Sequence, residues 1–293
     1  MRKIALLLML PAALAAQNFD TIQIKSQALR GGVYMLTGSG GNIGLSIGDE
    51  MAFVIDDQYA PLSAKILAHI ATLTNKPVKF VLNTHWHGDH SGGNENMGKA
   101  GALLVAHENA RRRMSTGQFI EFLKRTEPPA APGALPVVTF TDSIAFHVNG
   151  DDIVAFHVSP AHTDGDVIVH FTKANVVHMG DVLVLNGFPF IDLSSGGNAN
   201  GVVDASDRVL SFCNAETKII PGHGPAAVDC ATLRAYRDMV FTVRERVRAA
   251  MRQGKTLAEI KALKPTQEFD ATHKGSRTPD DFVDFVYRSL GGK

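Results

Sequence analysis

Residues 78–90 read V-K-F-V-L-N-T-H-W-H-G-D-H, an apolar strand signal that runs straight into His85, His87, Asp89 and His90. Three imidazoles and a carboxylate within six positions offer more donors than one tetrahedral ion takes from a single turn, so the spacing predicts two metal ions. In extended chain, side chains at i and i+2 share a side, which lets His85 and His87 converge while Trp86 turns away into packing. Gly88 then permits a turn that aims Asp89 and His90 elsewhere.

The surroundings of this loop predict an α/β chain. Residues 32–37, 42–47 and 51–56 read as short strands, with Gly38-Ser39-Gly40-Gly41 as the hairpin loop between the first two. That loop lacks G-x-G-x-x-G spacing and is followed by a strand, which excludes a dinucleotide cradle. Residues 61–73 carry a 3.6-period apolar stripe with Pro61 in the first turn, a helix leading into the 78–82 strand. Residues 103–106 read as a strand and 107–114 as a helix, whose Arg111, Arg112 and Arg113 read as a solvated face. The Pro- and Ala-rich 127–136 segment reads as a loop. Five further strands are expected at 137–140, 143–147, 153–158, 167–171 and 176–179. Amphipathic helices follow at 202–212 and 233–252, the second with its arginines opposite its apolar face, and 278–290 reads as a last helix.

Composition narrows the function classes. With 293 residues the chain can bury a large core, and Lys plus Arg (29) balances Asp plus Glu (29). The molecule therefore has no general attraction for nucleic acid or an anionic membrane. Met1-Arg2-Lys3, the apolar run 4–10, Pro11 and the small residues 12–16 have the order of a secretory signal peptide, cut after Ala15 or Ala16. The run is too short for a permanent span, so the expectation is an exported, periplasmic protein without stable membrane insertion after cleavage. Residues 17–293 are expected to form one domain ending in helices. Cys213 and Cys230 have no zinc-binding spacing; a disulfide and two buried thiols are both open readings.

Three more candidate ligands stand at the ends of predicted strands: His162 in P-A-H-T, Asp181 in M-G-D and His223 in P-G-H-G. Together with the first cluster they divide into two sets. His85, His87 and His162 form the first and Asp89, His90 and His223 the second, with Asp181 bridging. Imidazole and carboxylate donors favour two Zn²⁺, although iron or manganese accepts the same ligands. Two such ions about 3.5–4 Å apart can hold a hydroxide, because paired positive charge lowers the proton affinity of water.

On H-x-H-x-D-H at 85–90, His162, Gly180-Asp181 and Gly222-His223-Gly224, in that order, the chain resembles the metallo-β-lactamase superfamily over essentially its whole mature length. The resemblance implies a four-layer αββα sandwich with a dinuclear site at one edge. Members hydrolyse β-lactams, thioesters, lactones and phosphodiesters, and a few oxidise substrates at iron. Many zinc β-lactamases carry cysteine or serine where this chain has Asp181.

The expected activity is that of a periplasmic dinuclear zinc hydrolase. A metal-held hydroxide would attack a strained or activated carbonyl of a small molecule, with β-lactam ring opening as the leading reaction. Asp89 would bind metal and orient the nucleophile. The alternatives are a lactonase or a thioesterase of the glyoxalase II type, then an iron-dependent oxidoreductase or a non-catalytic zinc-binding protein. The 38–41 loop and the 186–198 stretch, with Phe188 and Phe190, are candidate walls of the pocket.

Overall fold

The computed structural model describes residues 18–292; the expected signal peptide lies outside them. Strands β1 (Lys25–Ala28), β2 (Val33–Thr37), β3 (Ile43–Ile47) and β4 (Ala52–Ile55) form an antiparallel meander. Helix α1 (Ser63–Leu73) then carries the chain to β5 (Val78–Asn83), which pairs parallel with β4. The metal-loop residues form a single helical turn, α2 (Gly88–Ser91), followed by α3 (Asn94–Lys99). After these come β6 (Leu103–His107), α4 (Glu108–Met114), a small hairpin of β7 (Gln118–Ile120) and β8 (Arg125–Glu127), and β9 (Val138–Phe140). Strands β6 and β9 extend the first sheet, giving the order β1-β2-β3-β4-β5-β6-β9.

The second sheet is built from β10 (Ser143–Val148), β11 (Asp151–His157), β12 (Val167–Phe171), β13 (Val176–His178) and β14 (Lys218–Ile220). Helix α5 (Ala199–Leu210) makes the crossover between its parallel last pair, β13 and β14. Three helices finish the chain: α6 (Cys230–Arg252), α7 (Leu257–Ala262) and α8 (Pro279–Ser289).

Side-chain alternation along the strands assigns the layers. Phe53 and Ile55 of β4 join Ile153 and Ala155 of β11 and Val167, Val169 and Phe171 of β12 in one core between the sheets. Their neighbours Ala52 and Val54 point the other way, onto Ile66 and Ile70 of α1 and Met97 of α3. On the far side, Phe156 and Ile168 of the second sheet meet α5, α6 and α8 through Val202, Val240, Val243 and Phe282. Helices outside two facing sheets make the expected αββα sandwich, and central strands such as β4 and β12 bury both faces.

Caps move several helix starts upstream of the apolar periodicity. The Asn198 side chain accepts from Asn200 N–H, so α5 starts at Ala199 rather than 202; Asp229 accepts from Thr232 N–H, so α6 starts at Cys230 rather than 233. Pro61 sits in a 3₁₀ turn, Ala60–Leu62, ahead of α1. Cys213 and Cys230 are joined in a disulfide. Of the basic triplet, Arg112 is solvated, but Arg113 forms a bidentate pair with Asp164 (2.7 and 2.8 Å) and has a largely buried side chain, correcting its reading as part of an exposed face. Among the described residues, no helix is long and apolar enough to cross a membrane.

Candidate metal centre

The loop after β5 is held from behind by Asp56, which directly follows β4 and has a positive φ of 62°. Its carboxylate accepts from Thr84 N–H (2.7 Å), from Thr84 Oγ1 (2.8 Å) and from His90 Nδ1 (2.7 Å). His87 stays extended at the start of α2, and the turn that follows swings Asp89 and His90 onto a different bearing from His85 and His87. The second sheet delivers the remaining candidates from the same edge. His162 follows β11 in a loop wrapped round the Asp166 carboxylate, which accepts from the backbone N–H of His162 (2.7 Å) and Thr163 (2.9 Å). Burial raises Asp166 to about 6 despite those bonds. Asp181 follows β13, and His223 follows β14.

All seven side chains converge. His85, His87 and His162 form one group of potential donors, Asp89, His90 and His223 a second, and Asp181 a third with His85 and His90; within each, the ligand atoms lie within 4.8 Å of one another. Asp181 faces both sides, with Oδ1 3.1 Å from His90 Nε2 and Oδ2 3.3 and 3.7 Å from the Nε2 atoms of His223 and His162. Asp89 Oδ2 is 3.2 Å from His223 Nε2. Such crowding demands small neighbours: a Cβ on Gly41 would lie 2.1 Å from the His90 ring, and one on Gly222 2.1 Å from Asp181 Oδ1.

The donor chemistry fits cations. His162 Nδ1 lies 2.7 Å from the Phe190 carbonyl and His87 Nε2 3.0 Å from Asp192, so each neutral ring donates its hydrogen outward. Their inward atoms, His162 Nε2 and His87 Nδ1, then face each other at 2.8 Å with lone pairs and no hydrogen between them. His85 Nε2 is buried and has no hydrogen-bond partner at all. A positive ion satisfies all three nitrogens at once. Burial holds His85, His87 and His162 below the usual imidazole range, so they are neutral and ligand-ready. Burial also opposes charge on His223, but Asp181 and Asp89 carry it up to about 9; Asp181, Asp56 and Asp89 likewise raise His90.

A profile described as the metallo-β-lactamase superfamily matches residues 48–223, which span every one of these seven side chains. The chain belongs to the metallo-β-lactamase superfamily. Members of this superfamily are generally hydrolases. Its fold is similar to that of a metallo-β-lactamase from Pontibacter korlensis (TM-score 0.60, 20% identity, 74% of this chain and 99% of that one). It is also similar to the metallo-β-lactamase DIM-1 (TM-score 0.60, 16% identity, 75% and 99%). In sequence it is similar to two proteins named atrochrysone carboxyl ACP thioesterase. The one from Aspergillus chevalieri is 22% identical over 71% of this chain and 59% of its own length. The one from Aspergillus terreus is 25% identical over 69% and 52%. The chain thus spans little more than half the length of these curated relatives.

Within this superfamily member the wall residues separate. Phe188 is core, stacked on Phe282 of α8, whereas Phe190 packs against the rings of both His87 and His162. A groove of about 290 Å³ opens beside it, lined by the apolar Phe122, Phe190, Ile191, Leu193 and Phe285 and by the charged Glu121, Lys124, Asp192, Asp284 and Arg288. The 38–41 loop lies on the metal loop itself, through Gly41 N–H to Asp89 O (2.9 Å). Sequence reasoning missed Asp56 and Asp192. Nothing local marks either, since each earns its place through a contact 28 or more positions away.

Proposed function

We propose that the chain is a dinuclear zinc hydrolase that cleaves an activated or strained acyl carbonyl of a small molecule. The observation that carries this reading is the convergence of His85, His87, Asp89, His90, His162, Asp181 and His223, with inward-facing lone pairs on His85, His87 and His162 that no protein hydrogen satisfies. His85, His87 and His162 would hold one ion, Asp89, His90 and His223 the other, and Asp181 both. The ions would supply Lewis acidity and a water deprotonated near neutral pH. Asp89, on the more open side of the cluster, would accept a hydrogen bond from that water and orient it. Phe190 and the groove beside it would exclude solvent from one flank and receive an apolar substituent of the substrate.

The β-lactam amide is the first substrate class, since ring strain makes its carbonyl reactive. A thioester is the second, favoured by the similarity to the two thioesterases. Purified zinc-loaded protein should turn over nitrocefin, a homoserine lactone or an acyl thioester, and His85→Ala should lose at least about 100-fold in kcat/KM, more than about 2.7 kcal/mol of transition-state stabilisation. No turnover across the panel, or full activity in His85→Ala, overturns the reading. Iron rather than zinc in protein purified without added metal would move it toward oxidoreduction. We further place the mature protein in the periplasm, a compartment where the Cys213–Cys230 disulfide persists. N-terminal sequencing of protein from the native cell should begin at Ala16 or Gln17.

A further inference from the structure

We propose that Arg277 is a specificity-determining residue that grips a carboxylate carried by the substrate a few bonds from the scissile carbonyl. This rests on the hydrolase reading above and names the class of compound that the same site takes. The guanidinium carbon of Arg277 stands 5.2 Å from the centre of the Phe190 ring, and that ring packs on His87 and His162. One aromatic side chain therefore separates a guanidinium from two candidate ligands of the first ion. Arg277 lies beyond residues 48–223, in the part of the chain that the superfamily profile does not cover.

This guanidinium has no counter-ion among the described residues. Arg113 and Arg237 each set Nε and Nη2 as a two-pronged edge on a carboxylate, that of Asp164 and of Asp207. On Arg277 the same edge is empty, because its one side-chain hydrogen bond among the described residues runs from Nη1 to Ser276 Oγ (2.7 Å). Nε is buried without an acceptor, and Nη2, also without one, is not buried. A buried donor with no acceptor is costly. A carboxylate that reaches Nη2 brings its second oxygen to Nε and removes that cost, a paired contact that an ammonium group does not make. The loop holds Arg277 in place. A Cβ on Gly275 would lie 1.9 Å from the carbonyl oxygen of Asn186, so the backbone runs flush against the segment that leads to Phe190. His273 stacks on Phe188 at 5.2 Å, and Thr278, directly after Arg277, caps α8. A side chain fixed on both sides loses little freedom when it binds.

The test uses substrate pairs that differ only in this charge: nitrocefin and its methyl ester, and a succinyl thioester and the same thioester with its free carboxylate as the primary amide. Zinc-loaded parent protein should favour the acid of a pair by roughly 10–100-fold in kcat/KM. Arg277→Ala should bring that ratio close to one, through KM rather than kcat, and Arg277→Lys should restore only part of it. A parent without preference for the acid, or an alanine variant that keeps the parent's ratio, overturns the proposal; full restoration by lysine overturns the two-pronged grip. A ¹⁵N–¹H spectrum of the zinc-loaded parent separates this proposal from the function it rests on. The Nε–H signal of Arg277, assigned by its loss in Arg277→Lys, should shift when the acid of a pair is added and stay in place with the neutral partner. A signal that moves with both or with neither overturns the role of Arg277 whether or not the protein hydrolyses any of the four compounds.

Discussion

At the scale of single residues, the centre is governed by what can approach it. Gly41 and Gly222 lie against His90 and Asp181, and a methyl group at either would sit at 2.1 Å, far inside contact distance. Gly222→Ala should displace the Asp181 carboxylate, because its other close neighbours are backbone atoms of Gly180 that cannot give way. Overpacking of this kind costs about 1–3 kcal/mol. The expected outcome is a protein that keeps its circular dichroism spectrum but binds less than two zinc ions by elemental analysis, with a large loss of hydrolysis. Asp56→Ala should act differently, because it strips a shared acceptor from Thr84 and His90. A drop in zinc affinity of roughly 10–100-fold is expected, measured by zinc titration against a chromophoric chelator.

Secondary-structure elements show why parts of the fold were legible and others were not. Elements long enough to display a period, such as α6 with Leu233, Tyr236, Val240, Val243 and Val247 on one side, are marked in the sequence. Strands β1, β7 and β8 and helices α3 and α7 span only three to six residues each and carry no such signal; sheet pairing and core contacts hold them. Helix α8 has both kinds of information: a Thr278–Asp281 capping box and Pro279 at its start, and Phe282, Val283, Phe285 and Val286 buried. Thr278→Ala should cost about 1 kcal/mol in urea unfolding. The Cys213–Cys230 disulfide spans 17 positions and anchors the first residue of α6 to the segment after α5. Cys213→Ser/Cys230→Ser should lower stability by about 3 kcal/mol, seen as a shifted denaturation midpoint that reductant no longer moves.

For the whole molecule, the two sheets contribute candidate ligands to one centre, so a metal bound there would also cross-link the halves of the sandwich. The first sheet supplies His85, His87, Asp89 and His90 from the end of β5; the second supplies His162, Asp181 and His223 from the ends of β11, β13 and β14. Metal binds the folded arrangement far better than the unfolded chain, and free zinc at 1,000 times its Kd adds about 4 kcal/mol. Chelation should therefore lower Tm measurably and zinc should restore it, whereas His85→Ala should show a smaller rise with zinc. An unchanged Tm on chelation would contradict a structural contribution from the ions.

The sequence by itself determined the order of the longer strands and helices, the hexad after β5 and the positions of His162, Asp181 and His223. Each of those is a local signal: an apolar period, or a ligand-type residue just past a strand. Only the tertiary structure decided which nitrogen each histidine turns inward, that Arg113 pairs with Asp164 rather than with solvent, and that Asp56, Asp192 and Phe190 back the centre. Those outcomes depend on groups brought together from distant positions by sheet pairing and core burial, and no short stretch of sequence carries the geometry of such a meeting.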